Sequence, residues 1–361
     1  MWGAIARAVS SLKRQPKGPI LTGLTGEVKR DADKTSRFLP DRLFWVYNYS
    51  VKIGILSRNR SLYSTRRLAQ AAHQRGHEVS IIDTLAVAVE VGRDAISGPR
   101  VRMVVSESYG LARAVQLPQV DAIIPRIGAS ITYHGLSVVR QFEATNVLTT
   151  ATSPAIARSR DKLHSLQTMS QAGLPVPRTA VIAQARALFA AMQTVGGPPV
   201  VIKLIEGTQG RGVVLARNLA TAAAVLAKVH QHKRQALVQE YIAEAAGRDV
   251  RVIVVEGRCV AAMERSAPEG EFRANLHRGG TAVPFQLDNA TKKLAVDAAK
   301  AHGLSVAGVD LIQSNRGPLL LEVNSSPGLE GIETTTQVDV AGEVIAFLER
   351  EARKNKRRMR P

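Results

Sequence analysis

A chain of 361 residues, 45% hydrophobic and 22% charged, has ordinary globular proportions and is long enough for two or three domains. No apolar run approaches the roughly 20 residues needed to span a bilayer, and the single cysteine, Cys259, excludes an internal disulfide, which fits a reducing compartment and a cytoplasmic location. The net charge of +19 suits anionic substrates such as nucleotides and acidic peptides.

In chain order, residues 1–50 do not read as the start of a domain. They join a Lys/Gly/Pro patch, KRQPKGP, to a late aromatic cluster, LFWVYNY. An over-long gene model with Val51 as an alternative start accounts for them. A transit peptide fits them less well, because Glu27, Asp31 and Asp33 are acidic and the cluster is bulky. From Val51 the pattern alternates. VKIGILS reads as a strand, LYSTRRLAQAAHQRG as a helix stopped by Gly76, and VSIID, VRMVV and DAIIPRI as further strands. HGLSVVRQFEAT reads as a helix, so residues 51–150 predict a parallel α/β sheet. The loop SRNRSLYST lacks GxGxxG, which argues against a dinucleotide site there.

A second unit, 151–350, opens with Ser153 as N-cap and Pro154 at N1 of a helix that runs to Gly173. A loop, PVPRT, and a helix, ALFAAMQTVGG, lead to the strand PPVVIKL. Beyond the glycine-rich loop come a helix (219–231), the strand ALVQEYI and a hairpin, VRVIVVEGRCVAAMER, turning at Glu256-Gly257. Cys259 reads as a structural thiol of that hairpin. A helix (290–302), a second hairpin and a closing helix (340–354) follow, with a basic tail, KNKRRMR, at 351–361. The tail suits RNA contact or a solvated end equally.

Two stretches carry chemistry. The apolar run ending in Asp310 turns through SNRGP and returns as LLLEVN, carrying Glu322 and Asn324. With a loop of Asn315–Gly317, antiparallel pairing sets Asp310 opposite Glu322; a two-residue loop shifts the match by one position. Glu322 and Asn324, two apart, share a face. Two carboxylates and an amide oxygen are hard ligands suited to Mg²⁺. The apolar flanks disfavour the alternative, a solvated hairpin, since buried unpaired acids are costly. Upstream, Lys203 sits on a strand that enters the loop EGTQGRG (206–212), whose Gly207, Thr208, Gln209, Gly210 and Gly212 let backbone N–H groups approach phosphates. No GK[ST] follows, so it is not a Walker A loop.

RDK (160–162), VVIKLIEGTQGRGVVL, LVQEYI, RDVRVIVV, EFRANLHRGG, AGVDLI and LLLEVNSSPGLEGIE resemble the ATP-grasp superfamily, and more narrowly the RimK-type α-L-glutamate ligases. SRNRSLYSTRRL and IPRIGASITYHG resemble that family's N-terminal domain, so the likeness covers about residues 51–350. It implies an α/β pre-ATP-grasp domain followed by an α+β ATP-grasp fold of two subdomains, about 151–238 and 239–350. It also implies ATP with Mg²⁺ or Mn²⁺, two ions, and a carboxylate phosphorylated by ATP and then attacked by the amine of L-glutamate. The acceptor implied is the C-terminus of a ribosomal small-subunit protein, with poly-α-glutamate as a further product and a homo-oligomer, a tetramer, as the assembly.

The same likeness assigns Lys162 and Lys203 to the nucleotide phosphates, and Glu240 and Tyr241 to the adenine strand. Asp249, Arg273 and Asn275 match further ATP contacts, with Asp249 at the ribose. Asp310, Glu322 and Asn324 match the metal ligands. Arg251 and Arg278 suit the acyl phosphate or an incoming carboxylate, Arg126 a peptide or glutamate, and His277 a structural role. Ser325 stands where alanine is commoner in the family. Two other readings stay open: an ATP-grasp ligase acting on a small-molecule cofactor or carrier, and a non-catalytic nucleotide- or RNA-binding protein. The complete ion cluster argues against the last.

Overall fold

The apolar run after Ser50 forms β1 (Lys52–Leu56), buried from Ile53 onward because it lies inside a parallel sheet with cover on both faces. The protein is seen here as a computed structural model that describes residues 50–94, 98–106, 114–204, 212–231 and 235–358. The readings of the 1–49 leader, of Gly207, Thr208, Gln209 and Gly210, and of the last tail residues lie outside the described residues.

Helix α1 (Tyr63–Gln74) ends where Gly76 takes φ +81°, the expected stop. β2 (Glu78–Ile82) pairs with β1 in parallel. Next come β3 (Val87–Asp94), β4 (Gly98–Ser106) and β5 (Ala114–Gln116), which form a sheet of their own. VRMVV, expected in the parallel sheet, lies in β4 instead. The short link from β3 cannot make the crossover that parallel strands need, so the pair is antiparallel. The chain returns through β6 (Ala122–Pro125), α2 (Thr132–Ala144) and β7 (Leu148–Thr149), giving the parallel order β2-β1-β6-β7.

The single helix expected over 154–173 is two, α3 (Ser153–Arg160) and α4 (Lys162–Gln171). Thr152, not Ser153, is the N-cap, accepting from the Ala155 amide at 3.4 Å. Asp161 ends α3 and caps α4, accepting from the Leu163 and His164 amides at 2.9 and 3.0 Å. A carboxylate that takes up backbone donors in this way interrupts a helix.

A smaller antiparallel sheet follows: β8 (Thr179–Ile182), α5 (Leu188–Val195), β9 (Val200–Leu204), β10 (Val213–Ala216), α6 (Leu219–Gln231) and β11 (Ala236–Glu240), in strand order β10-β9-β11-β8. It has its own core around Ile182, Met192, Ile202, Leu226 and Val238. The larger sheet holds β12 (Arg248–Val255), β13 (Arg258–Ser266), β14 (Thr281–Pro284), β15 (Val306–Ser314) and β16 (Gly317–Asn324), ordered β14-β13-β12-β15-β16. The helices α7 (Asn289–Ala301), α8 (Glu330–Thr336) and α9 (Val340–Arg358) complete the chain.

Alternation along β12 divides the core. Val250, Val252 and Val254 join Leu294 and Ala298 of α7 in a cluster that also reaches Leu56 and Ile123 of the parallel sheet. Ile253 and Val255 face the other way, with Ile332, Val344 and Leu348. That second face continues past Ile253 as Arg251 and Asp249, out of the core and toward a cavity. Cys259 is half-buried, and burial pushes its thiol up, as suits an inert residue. Among the described residues, no helix is long and apolar enough to cross a membrane.

Candidate active site

Two β-bulges decide which charges share the cavity face. The β15–β16 turn has two residues, Asn315 and Arg316, so Ser314 pairs with Gly317 and Leu311 with Leu320. Continued regularly, that register would set Asp310 against Leu321. A bulge at Leu321 adds one residue, and Asp310 instead meets Glu322. The β12–β13 hairpin turns through Glu256 and Gly257, at φ 49° and 68°, and pairs Val254 with Cys259. A bulge at Val260 then sets Asp249 opposite Arg265; a regular ladder would oppose it to Glu264, like charge to like.

The resulting network spans three strands. Arg251 donates from Nε and Nη2 to Asp310 at 2.7 and 2.6 Å. Arg265, 5% exposed, donates to Asp249 at 2.6 and 2.9 Å and approaches Asp310 at 3.3 Å. Burial opposes the charge on Asp310, yet Arg251 and Arg265 hold its carboxyl below the usual range. Burial prevails at Asp249, whose carboxyl is pushed up to about 6 with Asp310 adding to the rise against Arg265. Asp310 and Asp249 in turn overcome burial to raise Arg265.

Opposite this face stand the cations. Burial draws the Lys203 amine below the usual lysine value against the pull of Glu322, and Nζ donates to Gln239 Oε1 at 2.7 Å. Gln239 is fixed in turn by donating to Thr179 Oγ1 at 2.8 Å. Lys162, the first residue of α4, is lowered for the same reason and feels the same acid. Gly212 closes the glycine loop at φ +73°, and a Cβ there would lie 2.6 Å from Leu204 Cδ1, so the turn requires glycine.

Glu240 ends β11. Burial would raise its carboxyl, but Arg316 (2.6 Å) and Arg178 (3.0 Å) hold it below the usual range. Its side chain thus ties the small sheet to the β15–β16 turn. Tyr241 meets Phe272 edge-on, 6.5 Å between centroids. Arg273 lies 5.4 Å over Phe272 and donates to the Val213 carbonyl at 3.2 Å, a second tie to the small sheet.

A single cavity of about 680 Å³ is lined by Lys162, Lys203, Glu240, Tyr241, Asp249 and Arg273, and equally by Asn275, Asp310, Glu322 and Asn324. Arg251 stands behind Asp310, outside that lining, and His277 is exposed. Arg278 falls in a short helical turn and its side chain lies outside the described residues. Asp249, expected at a ribose, lines the cavity and engages Arg265 beside Asp310. Sequence reasoning missed Arg265, Gln239, Arg316 and Arg160. Arg160 was visible only as the first letter of RDK.

The donor set fits a hard divalent cation. Asp310 and Glu322 are paired across the strands, and the Asn324 side chain has an amide nitrogen buried without a partner, so its amide is not committed elsewhere through that atom. Among the described residues no three acidic, His or Cys side chains cluster for a metal; beside Asp310 and Glu322 the cavity lining offers the Asn324 amide.

Residues 159–348 match the family model of the RimK-like ATP-grasp domain, and residues 51–156 that of the RimK PreATP-grasp domain. The chain is 50% identical over 302 residues to a probable alpha-L-glutamate ligase of Marinomonas sp., covering 84% of this chain and 96% of that one. It is 51% identical over 310 residues to a second, from Teredinibacter turnerae, covering 86% and 99%. Among solved structures it resembles the ATP-grasp ligase PsnB complexed with minimal precursor, Mg and ADP (TM-score 0.62, 19% identity, 84% and 98% covered). It also resembles a RimK domain protein from Sphaerobacter thermophilus (TM-score 0.62, 22% identity, 82% and 98% covered).

Proposed function

The chain belongs to the RimK-type ATP-grasp ligases, which are carboxylate–amine ligases, and on that footing we propose that it uses ATP to attach L-glutamate to the C-terminus of a ribosomal small-subunit protein. The observation that carries this reading is the single cavity that sets Lys162 and Lys203 across from Asp310, Glu322 and Asn324. A cluster of that kind suits a polyphosphate on one side and its counter-ions on the other.

In the proposed reaction a carboxylate oxygen of the acceptor attacks the γ-phosphorus and ADP leaves. The glutamate amine then attacks the acyl carbon, loses a proton and expels phosphate, leaving an amide. Lys203 and Lys162 offset charge on the phosphates and orient the transferred group. Arg265 and Arg251 fix Asp310 so that its position does not depend on the nucleotide. Glu240 and Tyr241 position the base end, with the Glu240 carboxyl occupied by arginines and its amide by the Arg178 carbonyl. Asp310, Glu322 and Asn324 would hold magnesium, which when bound would supply charge neutralisation on the phosphates. An acyl phosphate needs little general base, since the amine can lose its proton late.

Intact-protein mass spectrometry tests the reading. The enzyme with Mg-ATP, L-glutamate and the candidate ribosomal protein is expected to produce a ladder of glutamyl additions on that protein's C-terminus. Glutamate-dependent ADP release without the ladder would move the acceptor to free polyglutamate or a small carrier. No ADP release with any amine would defeat the ligase reading.

A further inference from the structure

Two guanidiniums stand together, one of them in the cavity lining, with no ion-paired acid among the described residues. Arg126 directly follows β6, its amide donating to the Leu56 carbonyl at 2.9 Å, and is only partly exposed. Arg160 ends α3, lines the cavity, and donates from Nη2 to the Ile127 carbonyl. Its Nε is buried without a partner. Among the described residues no carboxylate forms an ion pair with either arginine; the acid whose field reaches Arg160 is Glu322. Arg58, from the loop after β1, adds a third guanidinium, with Nη2 3.8 Å from the place a Cβ on Gly128 would take. Burial and the neighbouring Arg160 charge bring Arg126 down to about 10.

Confining like charges without a counter-charge is costly, and the cost is removed when an anion arrives. The planar fork of arginine matches a carboxylate in a two-point contact. The carboxyl ends of parallel strands, where Arg126 and Arg58 sit, are where open α/β sheets take ligands. In the proposed reaction the nucleotide phosphates are served by Lys162 and Lys203, which line the same cavity. We infer that Arg126 and Arg160 form a carboxylate subsite for a non-nucleotide substrate, either the acceptor's acidic terminus or the incoming amino acid. The inference rests on the glutamate-ligase reading, and it gives the pre-ATP-grasp domain a direct part in choosing acidic substrates.

The test compares wild type with Arg126→Gln and Arg126→Lys. KM is measured separately for ATP, L-glutamate and an acceptor peptide ending in glutamate, by ADP release. Arg126→Gln is expected to raise KM for one carboxylate substrate about 10–100-fold, leave KM for ATP within about twofold, and abolish the preference for that substrate over its carboxamide analogue. Arg126→Lys should recover part of the affinity. The substrate whose KM moves identifies the source of the carboxylate. A lower kcat with both carboxylate KM values unchanged, or a rise confined to ATP, overturns the inference.

Glutarate binding to the wild-type enzyme, followed by calorimetry, covers the case in which the variants do not fold. Competition with glutamate or the acceptor, but not with ATP, supports the subsite; no binding, or competition with ATP alone, overturns it. Absence of glutamate-dependent ADP release in wild type would sink the ligase reading, while glutarate would still judge the arginine pair.

Discussion

Arg265 touches both acids of the network and is nearly closed to solvent, so its loss should be felt at two positions at once. Arg265→Lys is expected to lower kcat by about 10²–10³, because one ammonium cannot serve two carboxylates as a fork does. Asp310→Asn and Glu322→Gln should lose at least as much with the fold kept, and near-normal turnover in either would remove them from the metal site. Asp249 gives a pH signature. Its carboxyl titrates at about 6 in the folded chain, above the ordinary value of 3.8, so the native state holds the proton more tightly than the unfolded one. This stabilisation is complete below about pH 4 and lost as pH rises through 6. Relative to Asp249→Asn, the nucleotide-free wild type should therefore lose up to about 3 kcal/mol between pH 4 and 7, read from urea midpoints. Glu240 runs the opposite way, which the comparison with the variant cancels. Asp310, Glu322 and Lys203 were legible because each interrupts an apolar strand, where a charge demands a purpose. Arg265 was not, since nothing in RCVAAMER tells which side of the sheet each charge faces.

Elements were legible wherever turn chemistry or periodicity marks them, as at Gly76 and Glu256-Gly257. The bulges at Leu321 and Val260 leave no such mark, yet each moves a charge onto the cavity face. The β12–β13 ladder allows a sharp test. Deleting Val260 should straighten the strand and keep Asp249 opposite Arg265, so activity is expected within about tenfold of wild type after the small packing loss. Inserting one alanine after Ala262 should bring Glu264 opposite Asp249 and cost at least 10²-fold in turnover. Equal damage from both changes, measured as kcat, would refute the register argument. The break at Asp161 was missed for a related reason: an acid in a helical pattern reads as a surface residue until its backbone partners are known.

At the scale of the molecule, order along the chain was legible and long-range ties were not. Glu333, 7% exposed, accepts from Tyr63 and Arg67 at 3.0 Å each and from the Ala341 amide at 2.9 Å, joining residues about 270 positions apart. The core shared between the parallel and the large sheet makes those parts one cooperative unit. Glu333→Ala should lower the stability of that unit by about 3 kcal/mol without splitting its transition, in urea titrations followed by circular dichroism. A separate early transition of the pre-ATP-grasp domain would contradict the shared core.

The tie between Glu240 and Arg316 has one further consequence. Arg316 is half open to water where it crosses to the small sheet, and that sheet holds together on apolar contacts of its own. A partly exposed ion pair of this kind weakens as salt is added. The grip of the small sheet on whatever lies beneath it is thus set by the surrounding electrolyte as well as by the residues. If the proposed reaction holds, dilute buffer should keep that cover down longer and shield an acyl phosphate from water. Concentrated salt should then release the spent nucleotide faster and lose more of the acyl phosphate to hydrolysis, read as ADP formed per amide made.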